Sequence, residues 1–73
     1  MTEDPLALAQ RHVLEGERRV AEQIDRIERM KADGDSERAI ETGEAVLATL
    51  RRTLELAREH LAFERRTISV RND

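Results

Sequence analysis

The chain has 73 residues, 40% of them charged, yet its net charge is only −3 because acids and bases are interspersed. Ala, Glu, Lys, Leu and Arg supply more than half of it, the bias of coiled coils and long helices, while the single proline (Pro5) and single aromatic residue (Phe63) exclude a sandwich or barrel. The length limits it to one domain, and the lack of cysteine excludes disulfide, zinc–thiolate and thiol chemistry.

The first helix is predicted over about residues 5–32. Asp4 can cap its free N–H groups, and Pro5 suits the first helical position. Gly34 can end it in the left-handed conformation, and Lys31 places positive charge in its last turn. The turn falls at about 33–35. A second helix follows over about 36–66, capped by Asp35 or Ser36, with Glu37 in its first turn. The tail, 67–73, is undecided: Thr67, Ser69 and Val70 are weak helix formers, but Ile68 keeps to the apolar row.

Leu6, Val13, Val20 and Ile27 recur every seven residues, as do Ile40, Leu47, Leu54, Leu61 and Ile68. A strict seven-residue repeat predicts a left-handed supercoil, and the short turn requires the helices to run antiparallel. A turn centred between Asp33 and Gly34 sets Ile27 against Ile40, Val20 against Leu47, Val13 against Leu54 and Leu6 against Leu61. The same register brings Gly16 near Leu50, and Gly43 near Gln23 and Ile24. A helical glycine costs roughly 1 kcal/mol relative to alanine, so close packing is the expected reason for both. Glu15–Arg19, Glu22–Arg26 and Asp25–Arg29 have acid-first ion-pair spacing on the solvated side.

Two helices cannot enclose a core, and the apolar set is wider than one seam requires. The expected fold is therefore all-α: an antiparallel two-helix hairpin, coiled-coil-like, dimerising into a four-helix bundle. The residues assigned to packing and self-association are Leu6, Val13, Gly16, Val20, Ile24, Ile27, Ile40, Gly43, Val46, Leu47, Leu50, Leu54, Ala57 and Leu61. Leu56 is expected to face outward.

No catalytic, cofactor or metal residue is assigned. His12 and His60 fall about five residues apart along the axis, roughly 7–8 Å. Their neighbours Glu15 and Glu59 lack the Glu-x-x-His order of carboxylate-bridged metal sites in bundles. There is no glycine-rich phosphate loop, and Ser36 and Ser69 read as a cap and a tail residue. Arginine pairs occur at Arg18–Arg19, Arg51–Arg52 and Arg65–Arg66, but glutamates lie beside them and no aromatic platform exists for single strands. No apolar run approaches membrane-spanning length, and "MTEDPLALAQRH" lacks the pattern of a secretory signal. The expected address is the cytoplasm.

The segments "RHVLEGERRVAEQIDRIERM" and "ADGDSERAIETGEAVLATLRRTLELAREHLAFE" carry a recognisable pattern. His12, Val13, Gly16, Glu17, Val20 and Gln23 lead to Asp33 and Gly34 at the turn. Leu47, Leu50, Leu54, Arg58, His60 and Leu61 complete it. Over about residues 11–64 this resembles a group of short, uncharacterised alpha-proteobacterial proteins. The chain departs from that group in "DGDS", where a histidine would follow the glycine with a threonine nearby, and at Gly43, in a stretch richer in Ala and Leu. The resemblance implies a helical hairpin and no activity. The expected function is a non-catalytic protein–protein interaction or oligomerisation protein that binds itself as a homodimer or higher homo-oligomer, or binds another helical protein. The alternative is a small regulator acting on nucleic acid or a transcription component.

Overall fold

A computed structural model describes residues 4–71. Two helices, α1 (Pro5–Ala32) and α2 (Glu37–Arg71), pack against each other as an antiparallel hairpin. No strand occurs among the described residues.

Each boundary has a local cause. At the start of α1 the Asp4 carboxylate accepts from the Leu6 N–H at 3.0 Å, with Pro5 at the first helical position. At its end Gly34 adopts φ +73°, the conformation that suits glycine. The Gly34 N–H then donates to the Lys31 carbonyl at 3.2 Å, and the Asp35 N–H to the Met30 carbonyl at 3.0 Å. This is a Schellman cap, and it satisfies carbonyls that the helix end would otherwise orphan. The cap of α2 is Ser36, whose hydroxyl oxygen accepts from the Ala39 N–H at 3.2 Å. The second helix does not stop near Arg66 but runs to Arg71. Thr67 and Ile68 are half-buried, and the Thr67 hydroxyl donates to the Phe63 carbonyl at 3.0 Å, so packing outweighs weak propensity there. The remaining tail positions, 72 and 73, lie outside the described residues.

The seam differs from the expected one by three residues. An alanine-type Cβ built on Gly16 would meet Leu54, with Cδ1 at 3.0 Å, and one built on Gly43 would meet Ile27 Cγ1 at 3.2 Å. Both pairs of residue numbers add to 70, so the turn pivots at Asp35 rather than between Asp33 and Gly34. The reason is geometric. The sequence reading set like rows against like, Val13 on Leu54 and Ile27 on Ile40. Here a large residue of one row lies against the glycine of the other row instead. Gly16 therefore takes Leu54 rather than Leu50, while Gly43 keeps its expected neighbour Gln23 and gains Ile27 and Met30 in place of Ile24.

The surface ion pairs also rearrange. Asp25 and Arg29 pair at 3.0 Å as the spacing suggests. Glu15 takes Arg11 and Glu22 takes Arg18, each on the turn before the glutamate rather than the turn after it. Exposed pairs of this kind contribute at most about 1 kcal/mol each, so the exchange changes little.

The resulting rod measures 57 × 21 × 15 Å, with a radius of gyration of 16.7 Å against about 11 Å for a compact domain of this length. Its buried apolar residues are Ala9, Ile27, Leu54 and Leu61. Leu54 is 6% exposed and Leu56 55%. Leu54→Asp should therefore leave an unpaired charge in the seam and abolish most of the helical signal, a loss of several kcal/mol, about 3–5. Leu56→Asp should leave helicity unchanged in dilute solution. Far-UV circular dichroism of the two variants checks the ranking.

Candidate interaction surface

The surface is built from how the two rows of each helix meet. Gln23 is the buried polar residue of the seam, 7% exposed. Its Nε2 donates to the Gly43 carbonyl at 2.9 Å. A glycine at that position leaves its carbonyl open to a side chain from the facing helix. The contact is uncharged and sits between helices, where a polar residue can fix the register. No buried side-chain nitrogen or oxygen among the described residues lacks a partner.

Of the residues assigned from the sequence to packing and self-association, Ile27, Gly43, Leu54 and Leu61 are buried within the one chain. Leu6, Val13, Gly16, Val20, Ile24, Ile40, Leu47, Leu50 and Ala57 are half-buried, and Val46 is exposed. Thirteen of the fourteen are thus at least partly occupied by the hairpin itself. The buried Gln23 and Ala9 were not assigned, although both lie on the Gly16 row of the repeat.

The two faces of the hairpin are unlike. One is crossed by ion pairs between the helices: Arg58 Nη2 to Glu17 Oε2 at 3.5 Å, and Lys31 Nζ to Glu44 Oε1 at 3.7 Å. On this face Ile24 and Leu47 border a shallow groove that Glu28, Lys31, Glu44 and Arg51 also line. The other face carries a groove between His12, Glu15, Gly16 and Arg19 of α1 and Leu50, Thr53, Leu56, Ala57 and His60 of α2. The α1 wall of that groove is charged, and its α2 wall carries no charged residue apart from a protonatable histidine. The two histidines share this groove, but His60 Nε2 lies 3.3 Å from Glu64 of its own helix. Among the described residues no group of three His, Asp or Glu side chains is placed to hold a metal ion. No described helix is long and apolar enough to cross a membrane.

Leu14, Leu56, Phe63 and Val70 are more than half exposed; Leu56 was expected to face outward, and none of the four was assigned to self-association from the sequence. Leu56, Phe63 and Val70 follow one another at seven-residue spacing, which is the signal that could have found them. No known protein family, curated protein or solved structure matches this chain.

The glycines give the seam its test. Gly16→Ala and Gly43→Ala gain up to about 1 kcal/mol in helix propensity, but each methyl presses on a buried neighbour at 3.0–3.2 Å. Their net effect should be close to zero. Gly16→Leu and Gly43→Leu should each destabilise by about 1–3 kcal/mol, because a leucine has no space against Leu54 or Ile27. Denaturant melts of the four variants would refute the packing explanation if the leucine variants proved more stable than the parent.

Proposed function

We propose that this chain is a non-catalytic interaction protein whose work is to associate through its helix faces, in the first instance with itself. One observation carries the reading. Among the described residues, more large apolar side chains are exposed than are buried. Ile27, Leu54 and Leu61 are buried, whereas Leu14, Val46, Leu56, Phe63 and Val70 are 45–74% exposed. Single exposed leucines are ordinary, but here the balance is inverted.

Surface area supports the same reading. The chain exposes 5900 Å², whereas a compact monomer of 8.4 kDa exposes about 4,600 Å². The excess is the consequence of an elongated two-helix layer with no third helix to cover it. A second hairpin would supply that layer and make a four-helix bundle, the arrangement most open to a chain of this size without a disulfide. A helical partner of another sequence would meet the same physical need.

A regulator of nucleic acid or of a transcription component is the weaker reading. Its support is the row Arg51, Arg58 and Arg65 at seven-residue spacing along α2. Arg58 faces Glu17, and Glu44 and Glu55 lie on the same helix, which dilutes the positive field that phosphates require.

Sedimentation equilibrium at micromolar concentration should return a mass near twice 8.4 kDa or a larger multiple. The melting temperature should rise with protein concentration, as it does whenever folding and association are linked. A folded monomer at every concentration would end the self-association reading.

A further inference from the structure

The second helix carries two apolar rows, and the hairpin uses only one. The exposed residues Val46, Leu56, Phe63 and Val70 lie along one side of α2. Between them, at alternating steps of three and four, come Thr42, Thr49, Thr53 and Thr67, with His60 completing the row. No Asp, Glu, Lys or Arg interrupts it from Thr42 to Val70. That is the spacing of a coiled-coil seam, drawn a second time on a helix whose first seam is already occupied.

The threonines can join this seam because their hydroxyl protons are already engaged. Each hydroxyl donates to the carbonyl four residues back in its own helix: Thr42 to Arg38 at 3.0 Å, Thr49 to Ala45 at 3.3 Å, Thr53 to Thr49 at 3.0 Å and Thr67 to Phe63 at 3.0 Å. With the hydroxyl protons directed back along the helix, each threonine needs no acceptor from a partner and can present its methyl group. The row is therefore more apolar than its composition suggests. It runs about 42 Å at 1.5 Å per residue and about 10 Å across. Such a strip, about 400 Å², is the size of the largest patch a monomer ordinarily exposes, and patches of that size are often functional.

The charges beside the strip identify what covers it. Its outer flank is Ala45, Arg52, Glu59 and Arg66, again at seven-residue spacing. A parallel copy of α2 would bring the outer flank of one copy against the inner flank of the other, setting Glu59 beside Glu64 of the second copy and Arg52 beside its Ala57. An antiparallel copy, related by a two-fold axis between Thr53 and Leu56, brings Arg52 alongside Glu59 of the second copy. The symmetry forms that pair twice and leaves Arg66 beside an alanine. The same axis sets Val46 toward Phe63 of the second copy and Thr53 toward Leu56 of the second copy, small against large. The strip is thus complementary to itself in one direction and not in the other.

We propose that the uncharged row of α2 is the docking surface for a second copy of this chain, bound antiparallel, α2 against α2. The proposal rests on the self-association reading and names its surface. Val46 apart, that surface is not the set of rows assigned from the sequence, which the hairpin largely consumes, and it is not the face carrying Leu14 and the Glu17–Arg58 and Lys31–Glu44 pairs.

The test is sedimentation equilibrium of the full chain from about 1 to about 500 µM, with helicity recorded in parallel. Phe63→Glu should weaken dimerisation by at least about tenfold, and Leu14→Glu on the other face should leave it within about twofold. Arg52→Glu and Glu59→Arg should each weaken it about tenfold, and the double variant Arg52→Glu/Glu59→Arg should return to within about threefold of the parent. If Phe63→Glu costs helicity, the charge-reversal cycle decides alone, since both its positions are exposed in the hairpin. A parent dimer that Leu14→Glu breaks and Phe63→Glu does not, or a double variant no better than the singles, overturns this surface and spares self-association. A parent that is monomeric throughout overturns both.

Discussion

The hydrogen bond from the Gln23 amide to the Gly43 carbonyl, 2.9 Å long, sets the terms for the rest of the hairpin. It requires that residue 43 present bare backbone to the facing helix. It also holds one polar side chain at a fixed level in a seam otherwise made of aliphatic contacts, which alone would tolerate slippage. Gln23 reaches Gly43 from one turn away, and Ile27, level with Gly43, fills the space beside the missing side chain. The same offset carried along the rod puts Leu54 on Gly16. Two glycines and one glutamine thus fix an alignment that the leucines, valines and isoleucines merely reinforce.

Much of this was legible in the sequence. The Asp4–Pro5 start, the Gly34 stop and the paired seven-residue rows give two antiparallel helices without ambiguity, because each is a local rule with a local cause. The alignment was not legible to within one turn. Like rows were matched with like, and a turn of unknown geometry could absorb the difference. The decision lay in the Schellman cap and the Ser36 cap, which place the pivot at Asp35. The extension of α2 past Arg66 was invisible for a related reason: propensity argues against helix there, and the half-burial of Thr67 and Ile68 overrides it.

The uncharged row of α2 is hard to read from the sequence because threonine is counted as polar. A pattern of alternating Thr, Val, Leu and Phe looks like a diluted stripe when each residue is scored alone. Hydrogen bonding resolves it, since a hydroxyl bonded to its own helix no longer solicits water strongly. Composition scales average over threonines in both conditions, so they cannot make the distinction. The two faces of the hairpin are therefore unlike, one bridged by ion pairs and the other uncharged along α2.

The position of the turn has a kinetic consequence. The Ile27–Gly43 contact closes a short loop, and the Gly16–Leu54 contact a much longer one. Loop-closure entropy rises only with the logarithm of length, so the first rung beside the turn bears most of the cost, and each later rung adds little. Contacts of this order favour rapid folding that begins at Gly34 and proceeds outward like a zip. The end of the rod farthest from the turn is then the last to close and the first to fray.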